Sequence, residues 1–239
     1  MFNIIHTYYN EENFLRKQLE KYKKCNNYFN KIIIVDDASR KKAAPIVDEY
    51  NISIDLYRVL HDIGFNSHGC RNLAMDKTDS DWNLLIDIDW DIDIDTISKI
   101  SKCIEDDSLN PNNVYTFISP SGGEAINTLL IHRDTYWKAT GYDEELTNMH
   151  TGDDLFYESL RDCGTTFSNT EWNVTPLRNG RKIVFFDGDI TIYDDTNMIL
   201  YQPGSRPEWD TLRKAVARRN RLKGPKPVIT FTWEKHNEH

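Results

Sequence analysis

The sequence predicts an α/β fold, a parallel or mixed sheet covered by helices, and three observations carry that expectation. Strand and helix patterns alternate through residues 1–165 in the order β-α-β-α-β-α-β. The run "KIIIVDD" at Lys31–Asp37 is almost continuously β-branched, as in strands buried on both faces of a parallel sheet. An apolar fraction of 39% with 28% charged residues, over 239 residues, is enough for a sizeable core and argues against disorder.

The elements follow in order. "FNIIHTYY" (2–9) reads as a strand, and "EENFLRKQLEKYKK" (11–24) as a helix with Leu15, Leu19 and Tyr22 on one face. Lys31–Asp37 is the second strand, "KAAPIVDEY" (42–50) a short helix containing proline, and "SIDLYRVL" (53–60) a third strand. "GCRNLAMDKT" (69–78) is a short helix feeding the strand "WNLLIDID" (82–89). Crossovers of this kind are right-handed, and ligands of such sheets bind beyond the carboxyl ends of the strands. The second half is less regular. A strand is expected at Ile126–His132, a helix at Asp134–Ala139 stopped by Gly141, and a helix at Asp153–Cys163 stopped by Gly164. "KIVFFDGDITIYD" (182–194) reads as a hairpin turning at Asp187-Gly188.

Composition excludes several classes. "MFNIIHTYYNEEN" has no basic segment and no long apolar stretch, so no signal peptide is expected, and no run of about 18 apolar residues offers a membrane span. Cys25, Cys70, Cys103 and Cys163 form no C-x-x-C pair, which argues against a disulfide framework or zinc site and for a reducing cytoplasm. Net charge is −9, yet residues 206–226 hold eight basic residues against two acidic ones, a local +6 that leaves −15 for the rest. That segment is either a solvated helix face or a patch for an anionic partner.

The chemistry gathers at "WNLLIDIDWDID" (82–93). In a straight strand Asp87, Asp89, Asp91 and Asp93 would share one face, with Asp95 following, and like charges so placed repel. The chain therefore leaves the sheet within this run, or positive groups sit among the acids. An EF-hand loop requires Gly at its sixth position and Glu at its twelfth. Counted from Asp87 these are Ile92 and Ser98, and from Asp89 they are Ile94 and Ile100, so that loop is excluded. Asp93 and Asp95 suit the start of a helix carrying Ile94, Ile97, Ile100 and Ile104. Asp87 and Asp89 suit a divalent cation held by hard oxygens, Mg²⁺ or Mn²⁺, shared with a substrate phosphate, and Asp91 could serve either group.

Five segments together resemble the family-2 glycosyltransferases: "HTYYNEENFL", "IIIVDDAS", "IGFNSHGCRNLAM", "LLIDIDWD" and "WKATGYDEELTNMHTGDDLFYESLRDCG", in order over roughly residues 2–164. The segment "PVITFTWEK" is similar to short glycosyltransferases encoded by bacteriophages, which would place the protein in a host cytoplasm. The resemblance implies a GT-A fold, a Rossmann-like three-layer sandwich with a mostly parallel central sheet. One domain is expected over residues 1–200, its donor half at about 1–95 and its acceptor half at about 96–200. A basic extension, 201–239, would pack on the same domain.

The same resemblance implies the residue roles. Thr7, Tyr9, Asn10, Asp37, Arg71 and Asp87 would bind a nucleotide diphosphate sugar. Asp37 would accept from the base edge, Arg71 would pair with the pyrophosphate or fix the base-binding acid, and Asp87 would hold the ribose or the cation's water shell. Asp89, with Asp87 and Asp91, would hold Mn²⁺ or Mg²⁺. The catalytic base would be Asp153 or Asp154. Setting Phe156 and Leu160 on the apolar face of the helix favours Asp153. A base acting opposite the leaving group implies inversion at the sugar.

The acceptor is a hydroxyl on a glycan, small molecule, protein or modified DNA, and hydroxymethylated bases in DNA suit the basic segment. A nucleotide-sugar-binding module without turnover is the rival. A sugar nucleotidyltransferase is disfavoured because "TYYNEEN" supplies no glycine-rich phosphate loop, and a processive synthase because Q-x-x-R-W is missing. Ser119–Glu124 and Asn169–Arg181 are expected as lid loops on composition.

Overall fold

Residues 1–120, 122, 124–147, 152–177, 182–186, 189–193, 199–201 and 228–237 are described by the structure, a computed structural model. The chain divides into two compact units, Met1–Thr175 with Pro227–His239, and Pro176–Lys226.

In the first unit, β1 (Asn3–Tyr8), β2 (Lys31–Asp36), β3 (Ile54–Val59) and β4 (Trp82–Leu85) form a parallel core in the order β3-β2-β1-β4. These runs sit in the middle of the sheet because both of their faces are apolar: Ile4, Ile32 and Leu84 enter one core layer, and Ile5, Ile33 and Leu85 the other. Beyond β4 the sheet turns mixed. β7 (Glu124–His132) is antiparallel to β4 and to β6 (Asn113–Ile118), and β6 is parallel to β8 (Thr166–Pro176). Short β5 (Trp90–Ile92) forms one edge, and β12 (Trp233–Lys235), antiparallel to β3, the other.

Helices cover both faces. α1 (Glu12–Lys23), α2 (Ala44–Val47) and α4 (Ile94–Glu105) pack on one, and α3 (Ser67–Lys77), α5 (Arg133–Lys138) and α6 (Gly152–Asp162) on the other. α1 buries Leu15, Gln18, Leu19 and Tyr22, a stripe at helical spacing with one polar member. α4 begins where the acids predicted: Asp93 is its N-cap, accepting from the Thr96 amide at 2.6 Å, and Asp95 pairs with Lys99 one turn on at 2.7 Å. This is the expected three-layer sandwich.

Four strands of this unit escaped the sequence reading: β5, β6, β8 and β12. β8 replaces most of the lid loop expected at Asn169–Arg181. Its alternation is polar on both faces, "TFSNTEWNVTP", and Val174 is its only fully buried side chain, so it carries no apolar signature. At the other expected lid, Ser121 and Gly123 lie outside the described residues.

The second unit contains β9 (Lys182–Phe186), β10 (Asp189–Tyr193) and β11 (Ile199–Tyr201) in an antiparallel sheet, order β11-β10-β9. Asp189 pairs with Phe186, as the hairpin reading requires, although Asp187 and Gly188 themselves lie outside the described residues. So does the basic segment 206–226.

Candidate active site

The carboxyl ends of β1 and β2 are level, Tyr8 pairing with Asp36, so the residues that follow meet in one place. Asp36 is structural. Its oxygens accept from the Ser39 amide (2.8 Å), the Ala43 amide (3.0 Å) and the Arg58 guanidinium (2.7 Å), closing the loop after β2. Asn10, at φ 57°, ties the loops after β1 and β2 together: its amide donates to Ser39 Oγ and its side-chain oxygen accepts from the Lys41 amide, each at 3.0 Å. That oxygen is engaged by protein rather than free for a nucleotide. Thr7 is half-buried on β1, whereas Tyr9 is exposed and its hydroxyl donates to Asp62 at 3.1 Å.

Asp37 is different. It is 5% exposed, and its Oδ2 accepts from the Asn66 amide at 3.0 Å. Its Oδ1 is buried with no hydrogen-bond partner, and so is the side-chain nitrogen of Asn66. Burial pushes the Asp37 carboxyl up to about 6, against the lowering effect of the Asn66 amide and the neighbouring Cys70 thiol. A buried acceptor left unmet is costly, and such an atom in a native fold calls for a missing partner.

A second centre forms around Arg71, which α3 carries into the interior, 3% exposed. One guanidinium nitrogen donates to Asp87 Oδ1 (2.6 Å) and to the Asn127 carbonyl (3.2 Å); the other donates to Asp153 Oδ1 (2.5 Å) and the Tyr142 hydroxyl (2.8 Å). The Tyr142 hydroxyl in turn donates to Asp153 Oδ1 at 3.0 Å. The planar fork of the guanidinium thus spans two carboxylates, Asp87 and Asp153. Asp87 Oδ2 accepts from the Asn127 side chain at 2.6 Å. Sheet register accounts for that contact. β4 and β7 pair Leu85 with Leu129, and continuing two residues brings Asp87 opposite Asn127. Burial pushes the Asp87 carboxyl up, and the Asp89 and Asp153 charges add to this while Arg71 opposes it.

Two glycines let the α3 side and the α6 side approach. A Cβ on Gly152 would lie 2.1 Å from His68 Nε2, and one on Gly141, at φ +67°, would lie 2.6 Å from Asn72 Oδ1. Asn72 fixes Tyr142 by both backbone groups, accepting from its amide (2.9 Å) and donating to its carbonyl (3.0 Å). The Tyr142 ring is stacked between His68 and Phe156, with centroids at 5.4 and 4.2 Å. Glu144, also buried, accepts from Asn72 and from the backbone amides of Ile229 and Thr230, which anchors the segment leading into β12.

The acidic run divides as its spacing suggested. The chain leaves the sheet after Leu85, and Asp87–Trp90 form a turn closed by the Trp90 amide on the Asp87 carbonyl at 3.0 Å. Asp91 is turned to Lys21, with which it pairs at 2.5 Å. Asp89 is buried in the turn, and Asp153 lies 21% exposed with only Oδ1 engaged. Asp154, next on α6, is not among the partners of Arg71. Among the described residues no group of three or more His, Cys, Asp or Glu could hold a metal by protein ligands alone. The donor set, a buried Asp89 beside an Asp87 already held by Arg71 and Asn127, fits a hard cation only when a second molecule supplies further oxygens. Among the described residues no helix is long and apolar enough to cross a membrane.

Sequence reading missed Asn127 and Tyr142. Asn127 carried a signal, being one of two polar residues inside the otherwise apolar "AINTLLI" of β7. Tyr142 lay within a matched segment and carried none of its own.

A model of the family described as Glycosyl transferase family 2 matches residues 3–158. No curated protein matches the sequence. Among solved structures, S. aureus TarS 1–349 superposes with a TM-score of 0.60 at 17% identity, over 73% of this chain and 60% of that one. The same fragment in complex with UDP gives 0.60 and 17%, over 73% and 59%. GalNAc-T7 with UDP, GalNAc and Mn²⁺ gives 0.59 and 13%, over 74% of this chain and 43% of that one. The chain thus spans about 60% or less of the length of these structures. At such identities the likeness concerns the fold, GT-A.

Proposed function

Because the chain belongs to glycosyl transferase family 2, we propose that it moves a sugar from a nucleoside diphosphate sugar to a hydroxyl acceptor, with inversion and with the help of Mn²⁺ or Mg²⁺. One observation carries the reading. Asp153 has one oxygen pinned by Arg71 and Tyr142 and the other without a hydrogen bond, and Arg71 links it to the Asp87 that opens the D-x-D turn. A base so fixed is oriented without being consumed by its support.

The roles follow from placement. Asp37 Oδ1 accepts from the N–H edge of the base, which supplies the partner that the buried oxygen lacks. Thr7 and the exposed ring of Tyr9 line the same slot, and Asn10 holds its rim. Asp89 would hold the cation, which would supply positive charge to the departing diphosphate. Asp87, kept in register by Arg71 and Asn127, orients that turn. Asp153 Oδ2 takes the acceptor's proton as the new carbon–oxygen bond forms at the anomeric carbon. The bond to the phosphate oxygen breaks on the opposite face, leaving its electron pair with the nucleoside diphosphate. UDP is the first nucleotide to test, since the TarS and GalNAc-T7 structures were each obtained with it. The basic segment favours an anionic acceptor, and hydroxymethylated DNA is testable through the salt dependence of binding.

The test is a thermal-shift panel of UDP, GDP, dTDP, CDP and ADP with and without Mn²⁺, then turnover with the matching sugar donors. One base with a Mn²⁺-dependent shift, and a product anomer opposite to the donor's, is the expected result. Retained configuration overturns inversion, and no shift with any nucleotide overturns the donor assignment. Asp153→Asn should abolish turnover while nucleotide binding survives. If Asp154→Asn alone does so, Asp154 is the base.

A further inference from the structure

We propose that Gln18 is a positioning residue for the D-x-D turn, holding from α1 the backbone that aims Asp89 at the diphosphate. The inference rests on the reading of Asp89 as cation ligand.

Ile86, Asp87, Ile88 and Asp89 lie beyond the last paired residue of β4; the Ile86 amide still donates to the Ile5 carbonyl at 3.1 Å, and from Asp87 to Asp89 no strand pairing holds the backbone. The Ile86 and Ile88 carbonyls are caught by buried side chains from the α1 side of the sheet. His6 Nδ1 lies 2.8 Å from the Ile86 carbonyl and its Nε2 lies 2.8 Å from the Tyr22 hydroxyl. Burial keeps this imidazole neutral, lowering it to about 3, so Nδ1–H donates to the carbonyl and Nε2 accepts from Tyr22. Gln18 does more. Its amide nitrogen donates to the Ile88 carbonyl (3.2 Å) and the Trp90 carbonyl (2.5 Å), one on each side of Asp89. Its own oxygen accepts from Lys21 at 2.7 Å, and Lys21 holds Asp91 at 2.5 Å. Gln18 is 1% exposed and is the one polar residue in the buried stripe of α1. Leucine or methionine there would serve the helix equally well, but would leave two carbonyls of the turn unheld.

Helix stability alone thus does not call for glutamine. The amide bridges two carbonyls separated by one residue, and that residue's side chain is the D-x-D's second acid. A turn held at both flanks keeps Asp89 in one orientation, which a single-point ligand to a cation needs.

The test measures UDP binding calorimetrically to the full chain, with and without Mn²⁺, for the wild type, Gln18→Met and Gln18→Glu. Two variants are used so that one that folds can be read, folding being checked by circular dichroism. The wild type should bind UDP tenfold or more tighter with Mn²⁺. In the variants the Mn²⁺-free affinity should stay within about twofold of wild type, because the Asp37 slot is untouched, while the gain from Mn²⁺ falls tenfold or more. A variant that keeps the full Mn²⁺ gain, or that loses Mn²⁺-free binding in parallel, overturns the proposal. A wild type that binds UDP without any Mn²⁺ gain contradicts the cation reading itself, and one that does not bind UDP contradicts UDP as the donor nucleotide.

Discussion

Asp37 and Asp153 are both carboxylates withdrawn from solvent within the same unit, yet the fold keeps them in opposite ways. Asp37 has no counter-ion among its hydrogen-bond partners, one oxygen on the Asn66 amide and the other on nothing, and burial drives its carboxyl up to about 6. Asp153 shares Arg71 with Asp87 and takes a second bond from Tyr142. The first arrangement is costly to the protein alone. The second is complete in the protein and presents one oxygen for chemistry. A burial value by itself would not separate these two acids; their partners do.

The largest test of that contrast removes the shared cation. Arg71→Met leaves Asp87 and Asp153 without their positive partner and should cost about 3–5 kcal/mol in chemical denaturation. Arg71→Lys should recover only part of it, since an ammonium cannot span both acids in one plane. A loss below about 1 kcal/mol for Arg71→Met would mean that the centre is solvated and its acids independent.

Asp37→Asn should act in the reverse direction. A raised carboxyl favours the protonated folded form, so its stabilising contribution is full below the unfolded value of 3.8 and is lost as pH rises through about 6. At pH 8 the asparagine variant should therefore be more stable than wild type by about 2–3 kcal/mol, and near pH 4 the two should converge. The same change should abolish nucleotide binding. Wild-type nucleotide affinity should itself weaken as pH falls below about 6, when Asp37 takes up a proton.

Gly152→Ala drives a methyl to 2.1 Å from His68 and should cost about 1–3 kcal/mol, with the first turn of α6 and Asp153 displaced together. The smallest effect belongs to Tyr142→Phe. It removes one hydroxyl from the Asp153 cradle, should lower stability by about 1 kcal/mol, and should reduce turnover more than nucleotide affinity. Equal losses of affinity and turnover would show that Tyr142 serves the binding slot instead.

Much of this was readable from residues. The parallel core was plain because its strands are apolar on both faces, and Asp93 was placed as a cap by the isoleucine spacing that follows it. What was hidden had long-range causes. The partners of Arg71 come from β7, α6 and the turn after α5, and only the β4–β7 register shows that Asp87 must meet Asn127. β8 was invisible because its faces are polar, and β12 because three residues beside β3 leave too short a pattern. On spacing Asp91 could serve either group, and the Lys21 that pairs with it lies on α1, some seventy positions earlier.

The central claim is that Asp37 binds the nucleotide and Asp153 does the chemistry. Calorimetric titration of UDP with Mn²⁺ into wild type, Asp37→Asn and Asp153→Asn tests it most directly. Wild type and Asp153→Asn should bind within about twofold of each other, and Asp37→Asn should not bind. Binding that survives in Asp37→Asn, or that vanishes in a folded Asp153→Asn, would contradict the division of labour.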